Sequence, residues 1–414
     1  MERLQPVLAG IVTALVGFTS SFTVVLAALR AVGADQRQSA SGLLVVSVLM
    51  GLAAIALSRR YRMPISIAWS TPGAALLIAT GSVPGGFGTA VTAFGICGLL
   101  IVATGLVPAL RRIVLAIPRP LANALLAGVL LELCIVPVTT LKQRPGLAIA
   151  IVATWLLLTR VARRWAVPGA MAVAIGEILL SSGHAHLGGL RLAPELTVTA
   201  PHLSLTALTL GISLFVVTMA SQNIPGIAVL EGFGYQPPVR PALSLTGALT
   251  VAGAALGGHV VNLAAISAAL CAGPDAHPDK GKRWIASSVA GLTYIAFGLT
   301  AGLLAALVQI APAGLVETVA GLALLGTLGS ALSAAVADAG TGAGGVGHRE
   351  AAVVTFLVTA SGVSFGGIGS AFWGLVAGLA VTVVLAPQLL RRPGGPAQRP
   401  STRLTNPATA DGRP

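Results

Sequence analysis

The chain has 414 residues, 55% of them hydrophobic and only 9% charged, with a mean hydropathy of +0.90. That leaves too little polar surface to coat a water-soluble globule, so the chain reads as an all-α polytopic membrane protein. Its formal net charge of +13 is then assigned to loops touching anionic lipid rather than to a nucleic-acid surface.

Apolar runs, broken at charges and Pro/Gly clusters, predict about fourteen membrane segments: residues 7–29, 40–58, 65–80, 88–110, 121–140, 146–160, 166–182, 204–222, 241–256, 259–272, 284–309, 313–336, 351–364 and 368–389. The first run is too long for a signal-peptide core and is followed by Arg30 in place of a small-residue cleavage site, so it is kept as a span. Ser20, Ser21 and Phe22 lie midway along it. The two hydroxyls either line a site or bond to the preceding turn.

The third segment carries a helix start where a spanning helix should be half finished. In Trp69–Ser70–Thr71–Pro72–Gly73, Thr71 is the expected cap and Pro72 the first helical residue, because Pro there loses no hydrogen bond. Pro64 and the β-branched residues before Ser70 favour extended chain. Six extended residues at roughly 3.3 Å each and a helix to Thr80 at 1.5 Å per residue together cross a core about 30 Å thick. Such a break survives in lipid only where protein or a polar cavity satisfies the backbone, and in transporters that place is the substrate site. Trp69 is a candidate for aromatic stacking or for packing. Ser70, Thr71 and Gly73 are candidates for the cap and for close approach of a ligand to backbone.

Glu132 in the fifth segment and Glu177 in the seventh are the acids well within spans, so they are candidates for proton coupling or for buried structural acids. The tenth segment repeats the pattern of the third. Gly257 to Asn262 is extended-prone, Asn262 is the expected cap, and a half-helix from Leu263 to Ala272 is predicted. His259 beside it is a third proton-coupling candidate or a neutral imidazole bonded to the strand. The two short segments occupy the same place in two sets of seven. Because seven is odd, the second set enters upside down, which is an inverted repeat. Two half-helix N-termini would then meet near the midplane, where a small anion is best held.

Of the 25 Lys and Arg residues, all but Arg30, Arg37, Lys142, Arg144 and Arg191 fall on the side of the N-terminus, which places both termini in the cytoplasm. Gly342 to Gly347 fits GxGxxG but joins two spans, so a cytoplasmic loop is expected. His184 and His186 have no further ligands nearby in sequence, and Cys97, Cys134 and Cys271 have no metal or disulfide spacing, so no metal and no cofactor is expected. Residues 393–414 read as a disordered tail.

Trp69 to Leu77, Gly258 to Leu263, Ala320 to Gly326 and Thr359 to Gly374 resemble the bacterial benzoate:proton symporters, a family similar in architecture to the uracil, xanthine and sulfate permeases. The resemblance implies a core domain from residues 1–110 and 201–310 and a gate domain from 111–200 and 311–392. It also implies short strands from segments three and ten meeting beside the substrate. Nucleobase relatives are known for carboxylates in segments eight and ten. Here those places hold Gln222, Asn223, His259 and Asn262, amide and imidazole groups that accept an anionic carboxylate where Glu would repel it.

The function expected is therefore import of benzoate or a similar small aromatic carboxylate with protons, in a bacterial inner membrane, by alternating access. The alternative is a nucleobase or inorganic-anion symporter of the same fold. An enzyme is disfavoured by the lack of an Asp-rich cluster, a Glu-x-x-His set or a nucleophile triad in the spans. A homodimer is expected by analogy, since relatives often pair through gate domains.

Overall fold

The computed structural model describes residues 4–182, 193, 195–265, 267–312, 314–337, 343–363, 365 and 369–385. His184, His186, Arg191 and the tail 393–414 lie outside the described residues. Helices dominate, and they expose apolar side chains such as Leu157, Leu180 and Val384 outward, as solvation by acyl chains requires. Among the described residues six helical stretches are long and apolar enough to span a bilayer, and one bent pair makes a seventh. Shorter apolar helices accompany them.

The first stretch is α1 (Gln5–Thr19) and α2 (Phe22–Ala31), where one unbroken segment is predicted. The hydroxyls of Ser20 and Ser21 both donate to the Gly17 carbonyl, each at 3.0 Å, and interrupt the ladder there. A capping box at Asp35 and Gln38 starts α3 (Gln36–Tyr61). Extended chain then forms β1 (Ile67–Trp69), followed by α4 (Thr71–Thr80). Next, α5 (Gly86–Leu106) stops short of its predicted end because Pro108 holds Val107 extended, and α6 (Pro108–Leu115) begins a new helix with Arg111 and Arg112. The first half closes with α7 (Arg119–Gln143), α8 (Pro145–Val161) and α9 (Ala166–Ser182).

The second half opens with α10 (Leu205–Thr218), a π-helical turn at Met219–Asn223, and α11 (Ile224–Gly232), ten residues beyond the predicted end of that segment. Pro225 has no N–H and its ring crowds the carbonyl four residues back, so the helix widens by one residue at this point. Then come α12 (Val239–Ala254), β2 (Val261–Leu263), α13 (Ala268–Ala272), α14 (Trp284–Gly298) and α15 (Ala301–Ile310). The last two meet at a 56° bend, where the sequence predicts a single segment. Last are α16 (Leu315–Ala337), α17 (Ala343–Ala360) and α18 (Ser370–Leu385). Residues 343–347 open α17, so the glycine run is helical and not the expected loop; Gly342 lies outside the described residues.

Packing repeats between the halves. Helix α3 packs on α14 as α12 packs on α5, α1 on α14 as α10 on α5, and α8 on α9 as α17 on α18. Strand β1 is flanked by α3 and β2 by α12. Two of these crossings use reciprocal glycines. A Cβ at Gly51 would meet the Gly291 carbonyl and one at Gly291 the Gly51 carbonyl, and Gly98 and Gly247 face each other in the same way. Backbones in such contact leave no room for a side chain. Gly98→Ala is accordingly expected to destabilise by about 1–3 kcal/mol. Gly95→Ala on the same helix, where a methyl meets open space, should be neutral or stabilising by about 0.5–1 kcal/mol. Thermal unfolding of the two variants in detergent checks both.

Candidate functional site

The site is built where the two interrupted crossings touch. Strands β1 and β2 pair antiparallel, Ile67 opposite Leu263, Ala68 opposite Asn262 and Trp69 opposite Val261, as the resemblance implied. Two further bonds extend the ladder, Ser70 N–H to the Val260 carbonyl and Ala264 N–H to the Ser66 carbonyl, both at 2.9 Å. Thr250 Oγ1 accepts from Val261 N–H at 3.0 Å. From the π turn, Asn223 Oδ1 accepts from Leu263 N–H at 3.0 Å and Gln222 Oε1 from Ala265 N–H at 3.3 Å.

The cap of α4 is Ser70 and not Thr71 as expected. Ser70 Oγ accepts from Gly73 N–H at 3.1 Å and pairs with Thr218 Oγ1 at 2.7 Å. Ser and Thr cap almost equally well and Pro fits either of the first two helical positions, so the helix begins one residue early. Thr71 is thereby freed to face the cavity, half-buried. Its amide has no partner among the described residues, and Pro72 contributes no N–H, so the positive end of α4 is presented by Thr71 alone.

The tenth segment departs further from expectation. Asn262 is a strand residue, not a cap. Its Nδ2 donates to the Leu263 carbonyl at 2.7 Å, while its buried Oδ1 has no partner among the described residues. The helix that follows ends at Ala272 as expected but starts only at Ala268, because Leu263, Ala264 and Ala265 remain in extended chain with their amides bonded to Asn223, Ser66 and Gln222. The two facing half-helices of equal weight are therefore replaced by one ten-residue helix and one short turn of helix.

Between them lies a cavity of about 210 Å³. That is below the ~300–1,000 Å³ of drug-sized pockets and suits a solute of one small ring. On the side of the strands it is lined by Ser20, Ser21, Trp69, Thr71 and Gln222, together with Ser267 and Tyr294. Leu130 of α7, Val167 of α9 and Leu324 and Thr327 of α16 close the opposite wall. No acidic side chain lines it among the described residues. Trp69 is 3% exposed and donates from Nε1 to Ser21 Oγ at 2.9 Å. Its ring rests on Phe18 at 5.3 Å, and Phe18 in turn stacks on Phe22 at 5.5 Å.

The remaining predicted residues stand behind this lining. Phe22 belongs to the aromatic cluster, Ser70 and Gly73 to the cap, and Asn223 and Asn262 to the strand. His259 Nε2 approaches the Ser70 carbonyl at 3.3 Å with the ring edge-on to Phe94, so the imidazole braces the junction of β1 and α4 from behind. Neither Glu132 nor Glu177 lines the cavity. Glu132 is exposed on α7, two positions and so about 200° around the helix from Leu130. Glu177 is half-buried on α9, with Oε2 unpartnered among the described residues. Sequence reasoning missed Tyr294, Ser267 and Thr327. A signal existed for Tyr294, since the chain has only 3 Tyr and this one sits within an apolar run.

The family model described as benzoate membrane transport protein matches residues 2–384. Inner membrane protein YdcO of Escherichia coli (strain K12) is 39% identical over 380 residues, covering 91% of this chain and 95% of that protein. Benzoate membrane transport protein of Acinetobacter baylyi is 29% identical over 390 residues, covering 93% and 96%. In fold, the chain is similar to the transmembrane domain of a cyanobacterium bicarbonate transporter, BicA, with a TM-score of 0.58 at 14% identity, covering 91% of this chain and 98% of that one. It is also similar to the murine anion transporter Slc26a9 in its inward-facing state, with a TM-score of 0.60 at 14% identity, covering 93% and 68%.

Ser70→Ala is expected to cost about 1–3 kcal/mol by leaving the Gly73 amide and the Thr218 hydroxyl unpaired. Thr71→Ala should change stability by less than about 0.5 kcal/mol. Equal effects in thermal unfolding would return the cap to Thr71.

Proposed function

This chain belongs to the benzoate membrane transport protein family, a family of membrane transporters, and from that premise we propose that it imports benzoate or a similarly small aromatic monocarboxylate with protons across a bacterial inner membrane. One observation carries the substrate class. A small, largely apolar cavity free of acidic side chains among the described residues receives the N-terminus of α4, with the Thr71 amide and hydroxyl and the Gln222 amide as its donors. A carboxylate placed there gains charge-assisted hydrogen bonds and the favourable end of the helix dipole. The ring then packs against Trp69 and the aliphatic wall.

In the alternating-access scheme α1–α5 and α10–α15 form the core domain, within 1–110 and 201–310. Helices α7–α9 and α16–α18 form the gate domain, within 111–200 and 311–392. The repeated packing supports a seven-plus-seven inverted repeat of about fourteen segments, and the distribution of Lys and Arg supports both termini being cytoplasmic. The cavity has walls from both groups, so sliding of one against the other exposes the substrate to either side. A proton carried by Glu132, Glu177 or His259 would travel apart from the substrate, because all three stand outside the cavity lining.

Uptake into proteoliposomes tests this. Benzoate should accumulate under an inward proton gradient and be competed by other small aromatic acids; competition by uracil, xanthine or sulfate with none by benzoate would select a different substrate class. Two like charges about 5 Å apart at an effective dielectric of about 20 repel by about 3 kcal/mol. Gln222→Glu should therefore raise the benzoate KM by roughly 100-fold, while Gln222→Asn should cost far less. Equal effects would remove charge from the explanation.

A further inference from the structure

A second polar cavity lies apart from the first, where α2 ends, α3 begins and α15 ends. It measures about 250 Å³ and is bordered by Arg30, Asp35, Gln36 and Ser39, with Gln309 across from them and Leu26, Ala305 and Val308 as its apolar side. Two donors here have no partner among the described residues. Ser39 is 1% exposed with its hydroxyl unsatisfied, and Gln36 Nε2 is buried in the same condition. Orphaned buried donors carry a full desolvation cost, so their presence in one cavity points to a ligand that accepts from them. Arg30 uses Nη1 to hold the Val308 carbonyl at 3.1 Å, which fixes the guanidinium at the rim with further N–H groups to offer.

The charges narrow the ligand. Arg30 and Asp35 border the same cavity but form no ion pair with each other among the described residues. Asp35 spends Oδ1 on the Gln38 amide in the capping box, leaving its other oxygen to accept. A plain anion would meet Arg30 and the start of α3 favourably but would be opposed by Asp35. A zwitterion satisfies both, with an oxyanion on Arg30, Gln36 and Ser39 and an ammonium on Asp35. The cavity sits where two spanning stretches end and a third begins, at Ala31, Ile310 and Gln36, and the ends of spanning helices stand at the headgroup layer. We propose that it binds the headgroup of an aminophospholipid, phosphodiester toward Arg30 and ammonium toward Asp35.

The test uses the full-length protein, delipidated in detergent, with melting temperature followed against added short-chain phosphatidylethanolamine, phosphatidylglycerol and free phosphoethanolamine. Phosphatidylethanolamine should stabilise saturably and more than phosphatidylglycerol. Asp35→Asn keeps a good cap while removing the charge, and it should weaken the phosphatidylethanolamine response about fivefold or more and bring it to the level of phosphatidylglycerol. Ser39→Ala should raise the lipid-free melting temperature, because an unsatisfied hydroxyl is removed, and still weaken the lipid response. An equal response to phosphatidylglycerol in the unaltered protein, a response unchanged by Asp35→Asn, or free phosphoethanolamine acting as strongly as the lipid would each overturn the assignment. None of these readouts depends on benzoate transport, so failure here leaves the transport reading untouched.

Discussion

A backbone group left unpaired in hydrocarbon costs several kcal/mol, and this fold breaks two crossings inside that medium. Every other feature of the site follows from how the breaks are repaired. The three-residue strands pair with each other, their ends gain Ser70 to Val260 and Ala264 to Ser66, and side chains from neighbouring helices supply the acceptors the ladder lacks. Thr250 from α12 serves Val261, Asn223 serves Leu263, and Gln222 serves Ala265. The π turn is part of this repair, because it places Gln222 and Asn223 on the strand side of the helix. Pro225, which could not have completed a regular ladder at that spot, lowers the cost of widening there.

Most of the buried polar residues near the breaks are thus engaged with backbone rather than with solute. Ser70, Asn223, Asn262 and His259 hold the junction, and a smaller set remains to meet a ligand. Thr71, displaced from the cap by Ser70, offers an amide and a hydroxyl. Gln222 keeps its NH₂ after its oxygen is used. Ser21 is tied to Trp69, which orients the indole rather than leaving a hydroxyl free. Donors gathered in an apolar space without a neighbouring acid favour a negatively charged, partly apolar guest, and disfavour a neutral base that needs a carboxylate to receive its N–H groups.

How much of this was legible before coordinates varied with the kind of signal. The break at Pro72 was readable, because Pro after Ser–Thr inside an apolar run has few other meanings, although the cap was placed one residue late. The late start of α13 was not foreseen, since Leu263 to Ala265 read as the first turn of the half-helix and not as extended chain whose amides are taken by Asn223, Ser66 and Gln222. The breaks at Ser20–Ser21 and at Pro225 were invisible to hydropathy, which sees apolar content and not the hydrogen bonds that interrupt a helix. Depth in the membrane was legible for Glu132, but its direction around α7 was not, because the helix is apolar on all sides and carries no stripe to orient it. Ser267 and Thr327 came into the site only through tertiary packing.

The central claim is that the carboxylate of the substrate sits against the start of α4 and its ring against Trp69. The most direct measurement is a structure of the protein with para-bromobenzoate, the bromine located by anomalous scattering. The account predicts the carboxylate within hydrogen-bond distance of the Thr71 amide and the Gln222 side chain, and the bromine toward Leu130 and Leu324. A bromine peak outside the cavity between β1, β2 and α16, or a carboxylate turned away from α4, would contradict it.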